Sequence, residues 1–231
     1  HGSGKSTLLR IIATLQEPDA GTVTLGDIDV LRQKDEARKT LGFLPEDLGL
    51  FPRVSAANLL GYLALMKGIV ERRARREVVD ALLHQANLWD ARKQQLGDCS
   101  DSTRRRFEIA LALLGNPKFI IVDEPTATLD PAERVRFLNV LAALGENSIV
   151  LLATRNLRDV SECCTRMAIV DRGQILLEAE PNRAVDELRG RIWRGAISRD
   201  ELAGLERRHA IISTRLFAGC TIPRVLGDAS P

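Results

Sequence analysis

The chain has 231 residues, 45% of them hydrophobic, enough for one full domain with a smaller appendage and too apolar for wholesale disorder. Lysine and arginine number 33 against 31 acidic residues, a net charge of +2 that provides no broad field for nucleic acid or anionic lipid, so no nucleic-acid partner is expected. Cys99, Cys163, Cys164 and Cys220 show no C-x-x-C spacing and fit a reducing compartment, the three histidines are scattered, and no apolar run reaches the length of a membrane span.

The first seven residues, His1-Gly2-Ser3-Gly4-Lys5-Ser6-Thr7, read as the back half of a phosphate-binding loop, whose full pattern is Gly, four residues, Gly-Lys-Ser/Thr. Glycines let backbone N–H groups curl around phosphate oxygens with no Cβ in the way. Gly2, Ser3, Gly4, Lys5, Ser6 and Thr7 are therefore the candidate ATP-binding residues. Lys5 would reach the β- and γ-phosphates, and the Ser6 hydroxyl would help hold Mg²⁺. Leu8 to Ala13 is helix-competent and apolar on one face, which places phosphate at a helix N-terminus. A glycine-rich turn beside a surface lysine is the bland alternative. The pattern's first glycine and the strand that delivers the loop are expected before residue 1, leaving one slot of the sheet without its strand.

Glu17-Pro18-Asp19-Ala20-Gly21 is a turn cluster, followed by short strands at Thr22–Leu25 and Ile28–Val30 around Gly26-Asp27. Leu41 to Pro45 reads as a strand stopped by its proline. Three helices are predicted next. The first runs from Ala56 to Gly68, with Leu59, Tyr62, Leu63 and Met66 on one face; the second carries Val78, Val79, Leu82, Leu83 and Ala86; the third spans Asp101 to Gly115. Arg72, Arg73, Arg75 and Arg76 on the second helix could meet phosphate, but interleaved with Glu71, Glu77 and Asp80 they read as a solvated face.

Phe119-Ile120-Ile121-Val122 is an unbroken apolar run of the buried parallel-strand kind. A helix from Ala132 to Leu144, a strand from Ser148 to Leu152, a short helix from Asp159 to Cys164 and a hairpin around Asp171-Arg172-Gly173 follow. Apolar strands separated by amphipathic helices predict an α/β fold with a mainly parallel core sheet. Residues 1–181 are expected to form the nucleotide-binding domain, with a helical subdomain inserted at about 56–115. Residues 182–231 read as a small accessory domain, with helices at Val185–Trp193 and Asp200–Arg208, a strand at Ala210–Thr214, and an end that looks frayed or cut.

The strand at 119–122 closes on Asp123-Glu124-Pro125. A buried strand ending in two carboxylates is the expected partner of a phosphate loop: Asp123 to hold Mg²⁺ through its water shell, Glu124 to orient or deprotonate the water that attacks the γ-phosphate. Alone, such a pair is more often a helix cap or an exposed turn; the upstream loop is what favours chemistry.

Ile120-Ile121-Val122-Asp123-Glu124-Pro125-Thr126-Ala127-Thr128-Leu129-Asp130-Pro131 resembles the Walker B strand and D-loop of ATP-binding-cassette (ABC) ATPases. Gly49-Leu50-Phe51-Pro52 and Ser213-Thr214-Arg215 resemble ATP-binding subunits of ABC-2 type exporters. The resemblance covers nearly the whole chain and implies a P-loop NTPase fold and a head-to-tail dimer with a second ATP-binding subunit, identical or different. ATP would lie between one subunit's phosphate loop and the other's signature, with Asp130 at the interface. It further implies a membrane permease that docks near the Q-loop and helical subdomain, and a cytoplasmic location on the inner face of the membrane.

Three positions depart from the family pattern. Glu46 stands at the Q-loop glutamine, where a carboxylate can still face Mg²⁺ but cannot donate as an amide can. Cys99-Ser100-Asp101-Ser102-Thr103 stands at the Leu-Ser-Gly-Gly-Gln signature: Ser100 can cap the helix, while Asp101 and Ser102 replace both glycines and Asp101 sets an anion toward the partner's γ-phosphate. Arg155 stands at the switch histidine and could clamp the γ-phosphate, but it cannot exchange a proton at neutral pH. The expected function is ATP binding and hydrolysis that powers an exporter. A nucleotide-binding regulatory subunit with little turnover and a decayed gene copy are the alternatives.

Overall fold

A computed structural model of the protein describes residues 2–45, 52–127, 129–218 and 220–227, with the backbone alone at 199. The candidate loop leads into helix α1 (Lys5–Ile12), whose inward positions continue from Leu9 to Ala13. Strands β1 (Thr24–Leu25) and β2 (Ile28–Asp29) pair antiparallel around Gly26-Asp27. Helix α2 (Lys34–Thr40) carries no apolar stripe, so periodicity does not predict it. Only its Ala37 is buried, and pairs of Asp35 with Arg38 and Glu36 with Lys39 dress its outer face.

Helices α3 (Ala56–Met66), α4 (Arg72–Gln85) and α5 (Asp101–Ala112) build a core of their own around Leu60, Leu83, Leu88, Leu96, Phe107 and Leu114. Strands β3 (Leu41–Leu44), β4 (Phe119–Asp123) and β5 (Ile149–Ala153) form a parallel sheet in that order. As the middle strand, β4 is covered on both faces, which is why it is apolar throughout rather than alternating. Ile121 faces a layer containing Leu9, Ala13, Ala37 and Ala153. Ile120 and Val122 face Ile109 and Ala112 of α5 and Phe137, Leu138 and Leu141 of α6 (Pro131–Leu144). Gly42 is required where β3 meets the end of α5, because a Cβ there would lie 2.1 Å from the Ala112 carbonyl oxygen. Helix α7 (Leu157–Cys163) follows β5, and β6 (Met167–Asp171) and β7 (Gln174–Ala179) make a hairpin.

The chain divides into two compact units, His1–Cys164 with Ala168–Leu177, and Thr165–Met167 with Glu178–Pro231. The second holds α8 (Pro181–Asp186), β8 (Ile192–Arg194), α9 (Arg199–Arg208), β9 (Ala210–Phe217) and β10 (Cys220–Leu226), with an antiparallel sheet in the order β8-β10-β9. The helix expected from Val185 to Trp193 is replaced by α8 and β8. Pro181 starts the helix early, and Gly190, at φ 73°, turns the chain before the strand. Strand β10 escapes sequence reading because Pro223 interrupts its pattern; it pairs with Thr214 of β9, while the β8 ladder begins only at Arg224. Among the described residues, no helix is long and apolar enough to cross a membrane.

Candidate functional site

Gly2 (φ 77°) and Gly4 (φ 93°) hold the left-handed backbone that the loop needs. Gly4 is the N-cap of α1 and supplies no capping side chain, so the first amides of the helix remain open to an anion. The turn of the β6–β7 hairpin braces the loop: the Gly173 amide donates to the Ser3 carbonyl at 3.0 Å. Lys5 Nζ donates to Ser3 Oγ at 2.8 Å, which folds the ammonium back over the loop. Ser6 is half-buried in the first turn of α1 and Thr7 is exposed.

Helix α1 packs on the sheet face formed by β4 and β5, whose C-terminal ends carry the other candidates. Asp123 is 3% exposed, and its Oδ1 is buried without a hydrogen-bond partner. A buried carboxylate oxygen left unpaired is costly, and a hard cation is the partner that relieves it. Mg²⁺ is characteristically held by one or two protein oxygens together with water and phosphate oxygens, so the donor set of Asp123 and Ser6 fits it. Glu46, the third metal candidate, lies outside the described residues.

Glu124 turns off the end of β4 at φ 45°, a conformation uncommon for a non-glycine residue. Its amide donates to the Ala153 carbonyl at 2.8 Å, so the backbone leaves the sheet with its last ladder bond made. Its carboxylate is nearly buried and is engaged by Arg155: the guanidinium Nε donates to Oε1 at 2.8 Å and the Arg155 amide donates to Oε2 at 3.2 Å. The arginine expected to face phosphate is thus directed at the candidate base.

Ser100 caps α5, accepting from the Thr103 amide at 3.2 Å. Asp101 pairs with Arg104 one turn on, at an exposed position, so the anion expected there has a cation beside it. Ser102 Oγ accepts from Arg106 at 3.3 Å. Asp130 caps α6, accepting from the Glu133 amide at 2.8 Å, with Pro131 at the first helical position.

Sequence reading missed Asp159. It is 0% exposed and accepts from Thr126 Oγ1 at 2.5 Å, Thr154 Oγ1 at 3.0 Å and Arg134 Nε at 2.6 Å. One carboxylate therefore ties the turn after Glu124 to the residue before Arg155 and to α6. The Asp159 hydrogen bond holds the Arg134 guanidinium more firmly protonated than usual. Its only sequence signal is an acidic residue in the first turn of α7, which is also what an exposed helix start looks like.

A glycine-lined loop opening a helix, a parallel strand ending in two carboxylates, and helices with their own core between the two define an ATPase domain of the ATP-binding-cassette class. Residues 1–127 match the ABC transporter family, and the chain belongs to it. It is 32% identical over 200 residues to the lipopolysaccharide export system ATP-binding protein LptB of Haemophilus influenzae, covering 84% of this chain and 83% of that one. It is 31% identical over 180 residues to the ABC transporter ATP-binding protein YxlF of Bacillus subtilis, covering 78% of this chain but 59% of YxlF. The fold is similar to the ATP-binding cassette MJ0796 in a dimeric, post-hydrolysis state bound to ADP and Pi, with a TM-score of 0.68 and 26% identity over 78% of this chain and 81% of that one.

Proposed function

We propose that the chain is an ATP-binding subunit of an exporting ABC transporter, with turnover restrained by its own Arg155. The similarity to LptB, named for lipopolysaccharide export, supports export, though not that substrate. Residues 1–181 would be the nucleotide-binding domain and 182–231 an accessory domain. Lys5 would leave Ser3 Oγ for the β- and γ-phosphates, and the open amides of α1 would take phosphate oxygens. Ser6 and Asp123 would hold Mg²⁺, which when bound would supply charge neutralisation at the phosphates. Glu124 would accept the proton of the attacking water, and to do so it must release at least one of the two hydrogen bonds from Arg155.

A second ATP-binding subunit would complete each site through Ser100 to Ser102 and Asp130, and a permease would hold the assembly on the cytoplasmic face of the membrane. A cleft of about 1020 Å³, whose apolar lining of Leu15, Phe43, Leu59 and Leu63 is edged by the charged Arg38 and Lys67, would be a candidate for the permease contact. The Glu124–Arg155 pair also favours a second reading, a regulatory subunit that binds ATP beside a competent partner and turns over little. Steady-state phosphate release, measured alone and with the co-encoded permease and any second ATPase, separates the two. Turnover that stays at background with all partners present, despite measurable ATP binding, selects the regulatory reading; nucleotide binding absent altogether removes both.

A further inference from the structure

Cys163 closes α7, and Cys164 follows it with extended backbone at φ −100°, ψ 133°. Adjacent side chains splay around a helix and point to opposite faces of a strand. The change from one conformation to the other between these two residues is what lets their side chains converge, with the sulfurs 3.9 Å apart. Both are half-buried free cysteines, so the pair is partly shielded yet reachable. Two sulfurs each about 2.3 Å from one three-coordinate, pyramidal centre with bond angles of about 100° lie roughly 3.5 Å apart, a few tenths of an ångström closer than the pair stands. The observed spacing therefore suits one bridging soft atom with little rearrangement. Among the described residues, no cluster of three or more His, Cys, Asp or Glu could complete a metal shell. The fitting ligand takes two sulfurs from the protein and brings its remaining substituent with it.

We propose that Cys163 and Cys164 form a dithiol site for soft, thiophilic ligands of this two-sulfur kind, with monosubstituted trivalent arsenicals as the type. An arsenoxide R–As=O and the two thiols give R–As(S–Cys)₂ and one water. Two As–S bonds form, the As=O bond and both S–H bonds break, both protons leave on the oxygen, and no electrons are exchanged. The first sulfur to attack is that of Cys164. When it ionises, the Cys163 S–H can turn from the Asp159 carbonyl, 3.1 Å away, to the new thiolate. That hydrogen bond lowers the Cys164 thiol below its ordinary range and pushes Cys163 up. Capture of Cys163 also removes its hydrogen bond to the backbone of Asp159, so the site adjoins the network that joins Glu124 to Arg155.

The test titrates phenylarsine oxide into the native protein and into the same chain in urea, read by intact mass. The native protein should gain one phenylarsenic group less two hydrogens, lost to ethanedithiol but retained in glutathione. Because folding already holds the sulfurs together, the native adduct should need about tenfold more ethanedithiol for release than the unfolded one. Cys163→Ser and Cys164→Ser should each abolish glutathione-resistant uptake, and the Cys99→Ser/Cys220→Ser variant should keep it. Glutathione-resistant uptake persisting in Cys164→Ser would overturn the assignment. So would equal release from native and unfolded chains, which would reduce the pair to an ordinary adjacent dithiol.

Discussion

The Arg155 guanidinium donates to Glu124 Oε1 at 2.8 Å, and the same residue's amide donates to Oε2 at 3.2 Å, so one residue occupies both oxygens of the candidate catalytic carboxylate. A histidine there could carry a proton through the cycle; an arginine stays charged at any working pH, and here its Nε and its own backbone amide each take one carboxylate oxygen. Substituting Arg155 by His should therefore raise turnover on the order of tenfold, a fraction of the 10²–10⁴ that a positioned acid–base group provides. Phosphate-release assays decide it. Equal rates for wild type, Arg155→His and Arg155→Ala would show that the pair does not restrain the base.

Glu124→Gln keeps the shape of the side chain and removes its basicity. Nucleotide binding should survive, and any turnover should drop about 10²-fold or more. Undiminished hydrolysis would place the activity at another site, a contaminating ATPase first.

Lys5→Ala deletes the ammonium that rests on Ser3 Oγ. A charge-assisted contact to phosphate is worth roughly 1.5–3 kcal/mol, so ATP should bind about tenfold more weakly or worse at fixed Mg²⁺. Calorimetric titration that returns the wild-type affinity would contradict the loop assignment.

Asp159→Ala leaves the Thr126 and Thr154 hydroxyls without their buried acceptor. Each loss should cost about 1–3 kcal/mol, seen as a lower denaturation midpoint. Since those threonines flank the Glu124–Arg155 pair, kcat should change by more than the ATP affinity does. A variant with full stability would mean that water replaces the carboxylate.

Replacing Asp101 and Ser102 by glycine removes the Arg104-paired carboxylate and two side chains from the start of α5, at a helix-propensity cost of up to about 1 kcal/mol each. On a Glu124→Gln background, light scattering with Mg-ATP should show more dimer for the double variant. Equal dimerisation would mean that these residues do not face the partner's phosphate.

Glu71 caps α4 through hydrogen bonds from the Ala74 and Arg73 amides, and these hold its carboxyl below the ordinary range. With the folded value depressed, the cap's contribution is fully present above the unfolded value of about 4.3 and is lost as pH falls through the lower folded value. Wild type should exceed Glu71→Gln in stability near neutrality, and the difference should shrink in that acid window. Parallel stability curves from pH 7 to pH 3 would show that the charge contributes nothing.

By itself the sequence determined the parts whose signals are local. The glycines before Lys5, the unbroken Phe119–Val122 run and the capped start at Ser100 each announce their geometry within a few residues, because turns, burial on both faces and caps depend on neighbours in the chain. Local rules failed where partners were remote. Helix α2 has one buried alanine and is specified by what covers it, and β10 holds a proline that only an interrupted ladder admits. Tertiary structure alone decided the state of the site. Glu124 and Arg155 lie 31 residues apart, and Asp159 draws Thr126 from 33 residues away. Side-chain pairing at that separation is set by two adjacent parallel strands ending side by side, a register no single stretch of sequence contains.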